Sequence, residues 1–173
     1  MDFDNMERLQ RIYEHPVYAR ELKKLEADEQ ERRFCRHGMN HIMDVARICC
    51  IYCMRDGIID NENLSPELIY ATAMLHDIGR HSENCDGIPH EDAGASIAEA
   101  VMRDCGFKKE EIIWAINGIK DHRRSEASNE VDVMNRFADN LRLADKKSRP
   151  CYRCDVRDEC KWHSDKMNLK VGI

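Results

Sequence analysis

Two adjacent residues, His76 and Asp77, could together bind a metal ion at the end of a helix. They follow the small, apolar, helix-compatible run 71–75 and precede Gly79 and Arg80. An imidazole nitrogen and a carboxylate oxygen can bind one cation, and the second oxygen of the aspartate can reach another. Because glycine is common just after the last turn of a helix, Gly79 predicts that the helix ends there. A His-Asp pair occurs often by chance, so a metal site requires further ligands from elsewhere in the chain.

Further polar residues stand where a helical pattern calls for an inward-facing residue. They are His41, His90, His122 and Asp145. A single inward-facing histidine is more often a satisfied core residue than a metal ligand. A carboxylate on a buried stripe is different, because its burial is costly unless it is paired or bound to a metal. Together with His76 and Asp77, these residues offer nitrogen and oxygen ligands that suit Fe, Mn, Co or Zn.

The elements that must position these ligands are helices. Ser65-Pro66-Glu67 is typical of a helix start, with a capping serine, a proline at the first helical position and an acid in the first turn. Residues 81–89 contain Gly87 and Pro89 and are predicted to be irregular. Helical spacing of apolar residues predicts one or two polar helices in 4–33 and further helices near 41–55, 66–76, 90–105, 108–122 and 131–148. No segment alternates as a strand does, so the predicted fold is an all-α helical bundle.

Length, charge and cysteine content narrow the class of protein. The chain has 173 residues, which fits one domain of ordinary size. Its 27 basic and 33 acidic residues give a net charge of −6, which argues against general nucleic-acid binding. No run approaches the roughly 18 apolar residues of a membrane span, and the acidic N-terminus lacks the apolar core of a signal peptide. We therefore expect a cytoplasmic protein whose nine cysteines are free thiols or metal ligands.

The order of the ligands and the motifs around them resemble the HD superfamily of metal-dependent phosphohydrolases. The resemblance covers about residues 34–149 and includes ATAMLHDIGR at 71–80 and LADKKSR at 143–149. His90 and His122 resemble additional ligands of the two-metal branch, which includes the HD-GYP cyclic-dinucleotide phosphodiesterases and the bacterial diadenosine-polyphosphate hydrolases. The GYP signature is absent, so cleavage of cyclic dinucleotides is not favoured. The chain as a whole is most similar to small HD-domain proteins of anaerobic bacteria with a cysteine-rich tail, which implies an HD-domain helical bundle.

The resemblance also implies how the ligands divide between two metals. One metal would be held by His41, His76, Asp77 and Asp145, and the other by Asp77, His90 and His122. Two cations bridged by Asp77 can deprotonate a water between them and hold the attacking and leaving oxygens of a phosphoryl transfer. Asp77 and Arg80 are therefore the predicted catalytic residues, and the guanidinium of Arg80 suits phosphate oxygens. Arg123 and Lys146 are further candidates for substrate binding. The alternative for both residues is that they are solvated charges on the protein surface.

The cysteines near the end of the chain have a spacing that is typical of a metal site. Cys151, Cys154 and Cys160 form C-x₂-C-x₅-C, and the first pair has the spacing of structural zinc ligands. Cys35 precedes His41 by as many residues as Cys151 follows Asp145, so it is the favoured fourth ligand, ahead of His37 or His163. A structural zinc or an iron–sulfur cluster would then fasten a tail, residues 150–173, to a domain formed by residues 1–149. The alternative is a set of reduced thiols without a metal.

The predicted function is hydrolysis of a phosphate ester or anhydride, with a nucleotide as the favoured substrate and a metal-bridging hydroxide as the nucleophile. A di-iron oxygenase is the alternative enzyme, because some HD-fold proteins activate oxygen with a mixed-valent iron pair. A module that senses a nucleotide without turning it over is the alternative from a different class. The sequence predicts neither the oligomeric state nor the identity of the metal.

Overall fold

The computed structural model describes residues 5–59, 64–128 and 132–172. These residues form an all-α bundle, as the sequence predicts. The helices are α1 (Glu7–Glu14), α2 (Pro16–Asp28), α3 (Met39–Arg55), α4 (Pro66–Leu75), α5 (Arg80–Asp86), α6 (His90–Asp104), α7 (Lys109–Asp121) and α8 (Val133–Lys147). Three 3₁₀ turns follow, Cys151–Arg153, Arg157–Glu159 and Ser164–Lys166. Every helix in the described ranges is too short or too polar to cross a bilayer.

The predicted helix boundaries hold where the sequence carries strong local signals. Ser65 caps α4, because its Oγ accepts a hydrogen bond from the backbone N–H of Leu68 at 3.1 Å. α6 begins at His90 as predicted, and it ends before Gly106, which has a positive φ of 87°. The predicted start of the last helix at Val131 and the end of the loop before it at Asn129 lie outside the described residues.

One prediction about the segment after the His-Asp pair is wrong. Residues 80–86 form the short helix α5 rather than an irregular loop, because Gly87 and Pro89 stand after this helix and not inside it. The helix that precedes Gly79 does end, at Leu75, but Gly79 has a φ of −82° and so lacks the left-handed conformation of a typical helix-ending glycine. Glycine is needed there for a close approach: a Cβ on Gly79 would lie 2.3 Å from the carbonyl oxygen of His90 and 2.5 Å from the backbone nitrogen of Gly94.

Helix α4 is the centre of the bundle and places the His-Asp pair inside it. It packs against α1, α3, α6 and α7, and most of its residues are buried, including Leu68, Ile69 and Leu75. Each such side chain stabilises the fold by about 1.5–3 kcal/mol relative to an exposed one. Its small residues Ala71 and Ala73 are fully buried as well, because neighbouring helices approach closely. The residues that follow α4 therefore emerge into the interior rather than at the surface.

The segment after α8 lies against the bundle through polar contacts. Arg33, ahead of α3, pairs with Glu159 through two hydrogen bonds of 2.9 and 2.8 Å. The side-chain amide of Asn168 donates to the backbone oxygens of Lys146, Lys147 and Arg149. The division into a domain of residues 1–149 and a tail of residues 150–173 stays a prediction.

Candidate metal centre

The structure brings the six predicted ligands together from separate parts of the chain. Each lies at or near the end of a helix, where a side chain can point into the space between helices rather than into a helix–helix contact. His41 lies in the first turn of α3, His76 and Asp77 follow α4, His90 is the first residue of α6, His122 follows α7, and Asp145 lies in the last turn of α8.

The first group of four residues faces one oxygen of Asp77. Asp77 Oδ2 lies 3.3 Å from His76 Nε2 and 3.6 Å from His41 Nε2. Asp145 Oδ1 lies 3.4 Å from the same nitrogen of His41. One ligand atom from each of these four residues falls within 4.8 Å of the other three. Two nitrogens and two carboxylate oxygens at this spacing can surround one divalent cation.

The second group faces the other oxygen of Asp77. Asp77 Oδ1 lies 3.4 Å from His90 Nε2 and 3.6 Å from His122 Nε2. The two histidine nitrogens lie 3.1 Å apart. This is close to the separation of two imidazole nitrogens that each lie about 2.1 Å from one ion. The two groups share Asp77 and no other residue.

The outer nitrogens of the four histidines fix which nitrogen faces the centre. Nδ1 of His76 lies 2.7 Å from the carbonyl oxygen of Ala73, and Nδ1 of His122 lies 2.5 Å from that of Ile119. A carbonyl oxygen accepts only, so each Nδ1 carries the proton and each Nε2 keeps a lone pair. His90 Nδ1 likewise lies 2.5 Å from the carboxylate of Glu83.

His41 has the same orientation for a less direct reason. Its Nδ1 lies 3.0 Å from Ser148 Oγ, and the hydroxyl of Ser148 donates its proton to the backbone oxygen of Asp145 at 2.7 Å. The Ser148 oxygen must therefore accept from His41 Nδ1–H, which leaves His41 Nε2 as an unprotonated acceptor. In the neutral imidazoles, all four Nε2 atoms thus present lone pairs to the centre.

The centre contains buried polar atoms that nothing in the described protein satisfies. His41 Nε2, His76 Nε2 and both carboxylate oxygens of Asp77 are buried without a hydrogen-bond partner in the described ranges. Buried atoms of this kind almost always have a partner, and each unsatisfied one costs about 1–3 kcal/mol. The close approach of the lone pairs on His90 and His122 is also unfavourable unless a cation lies against both. The arrangement therefore fits two metal ions.

The protonation states of three ligands follow from their surroundings. Burial alone would raise the pKa of Asp77, but the charges of His76 and Arg80 outweigh it and hold this pKa well below its ordinary value. Burial lowers the pKa of His90, so it is neutral near pH 7. Burial also opposes the charged form of His76, but the neighbouring Asp77 raises its pKa above the ordinary value. A metal ion must therefore compete with a proton for His76.

Asp145 is less buried than the stripe of apolar residues in α8 predicts. Its side chain is 24% exposed, whereas those of His90, His122 and Asp77 are almost fully buried. The apolar positions of α8 show which way its inner face points, but not that this face reaches the solvent at its C-terminal end. The centre is therefore open beside Asp145, where a small substrate could approach.

The three basic residues that the sequence predicts for the substrate have different surroundings. Arg80 Nε lies 2.9 Å from Asp77 Oδ1, without the geometry of a hydrogen bond. Arg123 is half exposed, and its Nη1 donates to Glu83 Oε1 at 2.9 Å. The pKa of Lys146 is lowered by partial burial and then by nearby Arg142. Arg80 lies against Asp77, and Arg123 Nη1 lies 3.4 Å from Nδ1 of another predicted ligand, His90.

Glu83 is a part of the site that the sequence analysis missed. It connects His90 to Arg123, and with Glu91 it forms a third group of possible ligand atoms around His90. The segment was predicted as a loop, so no helical spacing related Glu83 to His90. Only the fold of α5 against α6 brings the two residues together.

Two histidines that the sequence does not assign as ligands lie in neither group. His37 Nδ1 lies 2.5 Å from Glu29 Oε1, and its backbone N–H donates to the other oxygen of the same carboxylate. His81 Nδ1 lies 2.9 Å from Asp28 Oδ2. His37 therefore pairs with the residue that follows α2, and His81 pairs with the last residue of α2.

Cys35, Cys151, Cys154 and Cys160 line one cavity beside the start of α3. The thiols of these four residues are not joined in disulfides. Cys49, Cys50 and Cys53 lie on α3 and are buried among apolar side chains.

Comparisons with known proteins agree with this fold. The family model of the HD domain matches residues 38–158. An uncharacterized protein of Clostridium beijerinckii is 34% identical over 166 residues, which cover 96% of this chain and 99% of that protein. The crystal structure of a predicted HD superfamily hydrolase from an uncultured Thermotogales bacterium has the same fold, with a TM-score of 0.56, 19% identity and coverage of 78% of this chain and 67% of that one. The chain belongs to the HD domain family.

Proposed function

We propose that the protein is a metal-dependent phosphohydrolase with two metal ions, which cleaves a phosphate ester or anhydride of a small molecule. The observation that carries this proposal is the environment of Asp77. Its two carboxylate oxygens face two different pairs of histidines, and each of these four histidines turns Nε2 toward it while Nδ1 binds another group. A carboxylate placed in this way is suited to bridge two cations.

The residues of the centre would have different roles in such a reaction. His41, His76, Asp77 and Asp145 would hold one divalent Fe, Mn, Co or Zn ion, and Asp77, His90 and His122 would hold the second. Such a pair of ions supplies an activated water and neutralises phosphate charge. Ser148 and Glu83 orient the imidazoles of His41 and His90 by binding their Nδ1 atoms.

The cationic side chains near the centre would bind the phosphate. Arg80 is the first candidate, since its guanidinium lies at the Asp77 oxygen that faces His90 and His122. Arg123 could exchange its bond to Glu83 for a phosphate oxygen, and Lys146 follows Asp145 at the open side of the centre. A planar guanidinium can bind two phosphate oxygens at once, which favours the arginines.

A nucleotide is the substrate class that we favour. Asp145 is partly exposed, so a small molecule could approach the centre there, and the net charge of −6 is unsuited to a long nucleic acid. We place the reaction in the cytoplasm, where the cysteine thiols would stay reduced.

Metal loading combined with a substrate screen tests the proposal. Protein purified without oxygen is loaded with Fe²⁺, Mn²⁺, Co²⁺ or Zn²⁺ and assayed for phosphate release from nucleotides and other phosphate esters. We expect turnover in the parent and none in Asp77→Asn, which should also bind less metal. Asp86→Asn, at the exposed end of α5, is the matched control and should behave as the parent.

Three results would contradict the proposal. Full turnover and full metal content in Asp77→Asn would show that this residue does not bridge two metal ions. Oxygen uptake without phosphate release would indicate the di-iron oxygenase. Tight nucleotide binding without any turnover across the metals tested would indicate a sensing module.

A further inference from the structure

A second site for metal chemistry lies in a cavity between the start of α3 and the tail. The cavity has a volume of about 490 Å³ and is lined by residues 33–36, the first turn of α3 and residues 148–167 in part. Four of the nine cysteines line it, namely Cys35, Cys151, Cys154 and Cys160. One of them comes from the loop before α3 and three from the tail, so the cavity joins two distant parts of the sequence.

This cavity is separate from the space inside the candidate metal centre. His41 is the one residue of the six predicted ligands that lines it. The cavity meets His41 on the side of Ser148, which also lines the cavity and binds His41 Nδ1. His41 Nε2 faces Asp77 and Asp145 instead. The four thiols therefore lie behind His41, and they are not ligands of the first centre.

The spacing of the sulfur atoms is wider than a single zinc ion requires. A zinc ion binds four thiolates in a tetrahedron with Zn–S distances of about 2.3 Å, so the sulfurs lie about 3.8 Å apart. No three of the four sulfur atoms, all in described residues, lie within 4.8 Å of one another. A cluster of iron and sulfide places several metal atoms between its thiolate ligands and so requires a wider spacing.

The charges around the cavity suit a group with four thiolate ligands. Six cationic side chains line it, whereas Asp44 is the one acid among the described residues of its lining. The cations are Arg33, Arg36, Arg149, Arg153, Arg157 and Lys166. Arg33 is neutralised by Glu159. Burial raises the pKa of the Cys35 thiol, and the charge of nearby Arg149 opposes this rise. Thiolates bound to metal carry negative charge, so this surplus of cations is favourable.

The tail is held by polar contacts and has no buried side chain. None of residues 150–172 is buried, so this segment contributes no side chain to the hydrophobic core. Its backbone forms two short 3₁₀ turns around the cysteines, Cys151–Arg153 and Arg157–Glu159. Segments that cannot build a core are commonly ordered by a bound metal instead.

We propose that Cys35, Cys151, Cys154 and Cys160 bind a [4Fe–4S] cluster that fastens the tail to the loop before α3. The cluster occupies the cavity behind His41 and is distinct from the proposed hydrolytic centre. Its stability depends on all four thiolates, because each supplies the outer ligand of one iron.

Acid-labile sulfide gives a measurement that the hydrolytic centre cannot influence. The full chain is purified without oxygen and reconstituted with ferrous iron and sulfide, and bound sulfide is then determined. We expect about four sulfides per chain, with a broad visible absorption that dithionite bleaches and an electron paramagnetic resonance signal in the reduced state. Asp77→Asn should keep the same sulfide content, so failure of the proposed hydrolysis does not affect this test.

Cysteine variants show which thiols hold the cluster. Cys35→Ser and Cys154→Ser should each lose most of the bound sulfide, and circular dichroism should show that the helices remain. Cys85→Ser removes an exposed thiol outside the cavity and is the matched control. If the parent protein contained one zinc per chain and no sulfide, or reduced thiols and no metal, the proposal would be overturned. This result does not depend on whether the variants fold. Full sulfide content in Cys35→Ser would overturn the assignment of the fourth ligand.

Discussion

At the scale of single residues, the asymmetry of Asp77 makes the two proposed metal positions separable. Oδ2 faces His41 and His76, whereas Oδ1 faces His90 and His122. A substitution on one side removes ligands from one position and leaves the other side complete. A substitution of Asp77 itself cannot separate the two metal positions, because Asp77 is a proposed ligand of both.

His122→Ala should therefore lower the metal content of the protein by about half. The remaining ion would be held by His41, His76, Asp77 and Asp145, and hydrolysis should be lost because a two-ion reaction needs both. Metal analysis after gel filtration measures the content, in cluster-free protein so that iron at the cysteines does not contribute. His81→Ala, whose side chain pairs with Asp28, is the control and should leave content and turnover unchanged. An unchanged metal content in His122→Ala would contradict the second position.

At the scale of elements, the site depends on how closely α6 approaches the turn after α4. Gly79→Ala should lower the free energy of unfolding by about 1–3 kcal/mol, because the new Cβ overlaps backbone atoms of His90 and Gly94. Metal content should fall as well, since His90 must shift. Chemical denaturation and metal analysis measure the two effects.

Gly94→Ala is a matched control for the same helix contact. A Cβ on Gly94 would meet its nearest atoms at 3.6 Å, which is ordinary van der Waals contact. Alanine is also favoured over glycine inside a helix, so this variant should be as stable as the parent or slightly more stable. Equal stability of the two variants would show that the approach at Gly79 is not tight.

Helix α1 is held to the bundle by Arg8, which binds two carboxylates. Its guanidinium donates to Glu111 at 2.9 and 3.0 Å, and its Nε donates to Glu67 at 2.7 Å. Partial burial would raise the pKa of Glu111, but the bonds from Arg8 and from the backbone of Lys108 lower it below its ordinary value. A lowered folded-state pKa means that the ionised form stabilises the fold above about pH 4.3, the ordinary pKa of glutamate. This contribution is lost as the pH falls through the folded-state pKa.

Glu111→Gln should therefore be destabilised by about 1–3 kcal/mol at pH 7 and should approach the parent in stability at pH values below the folded-state pKa. Glu110→Gln changes an exposed acid on the same turn and should differ little from the parent at any pH. Urea denaturation of the three proteins across the acid range measures the effect. A difference between Glu111→Gln and the parent that stays constant with pH would contradict the role of the charge.

The elements also show which parts of the structure the sequence could predict. Helices with strong caps or long apolar stripes, such as α4 and α6, were predicted close to their observed bounds. Helix α5 was missed because its seven residues are polar and carry no stripe. Glu83 was missed with it, since its contact with His90 depends on tertiary packing. The exposure of Asp145 was not predictable either, because periodicity gives the direction of a face and not its depth.

At the scale of the whole molecule, the site opposes the stability of the fold when no ion is bound. The bundle gains stability from the apolar surface that it buries around α4, but the same packing buries the unsatisfied atoms of His41, His76 and Asp77. Those atoms would be hydrated in the unfolded chain. Ions that bind the folded centre satisfy them, so folding and metal binding should be linked.

Metal ions should therefore raise the melting temperature of chelator-treated protein. A ligand present at 100 times its dissociation constant stabilises the folded state by about 2.7 kcal/mol, which corresponds to a rise of about 5–10 °C for a domain of this size. Mn²⁺ is the suitable ion, because it prefers nitrogen and oxygen ligands and so leaves the cysteine cavity unaffected. Asp77→Asn should show a much smaller rise, since both positions lose their shared ligand. If the melting temperature of Asp77→Asn rose as much as that of the parent, the stabilising ion would bind elsewhere. The ion would then not be satisfying the buried, unpaired atoms of this centre.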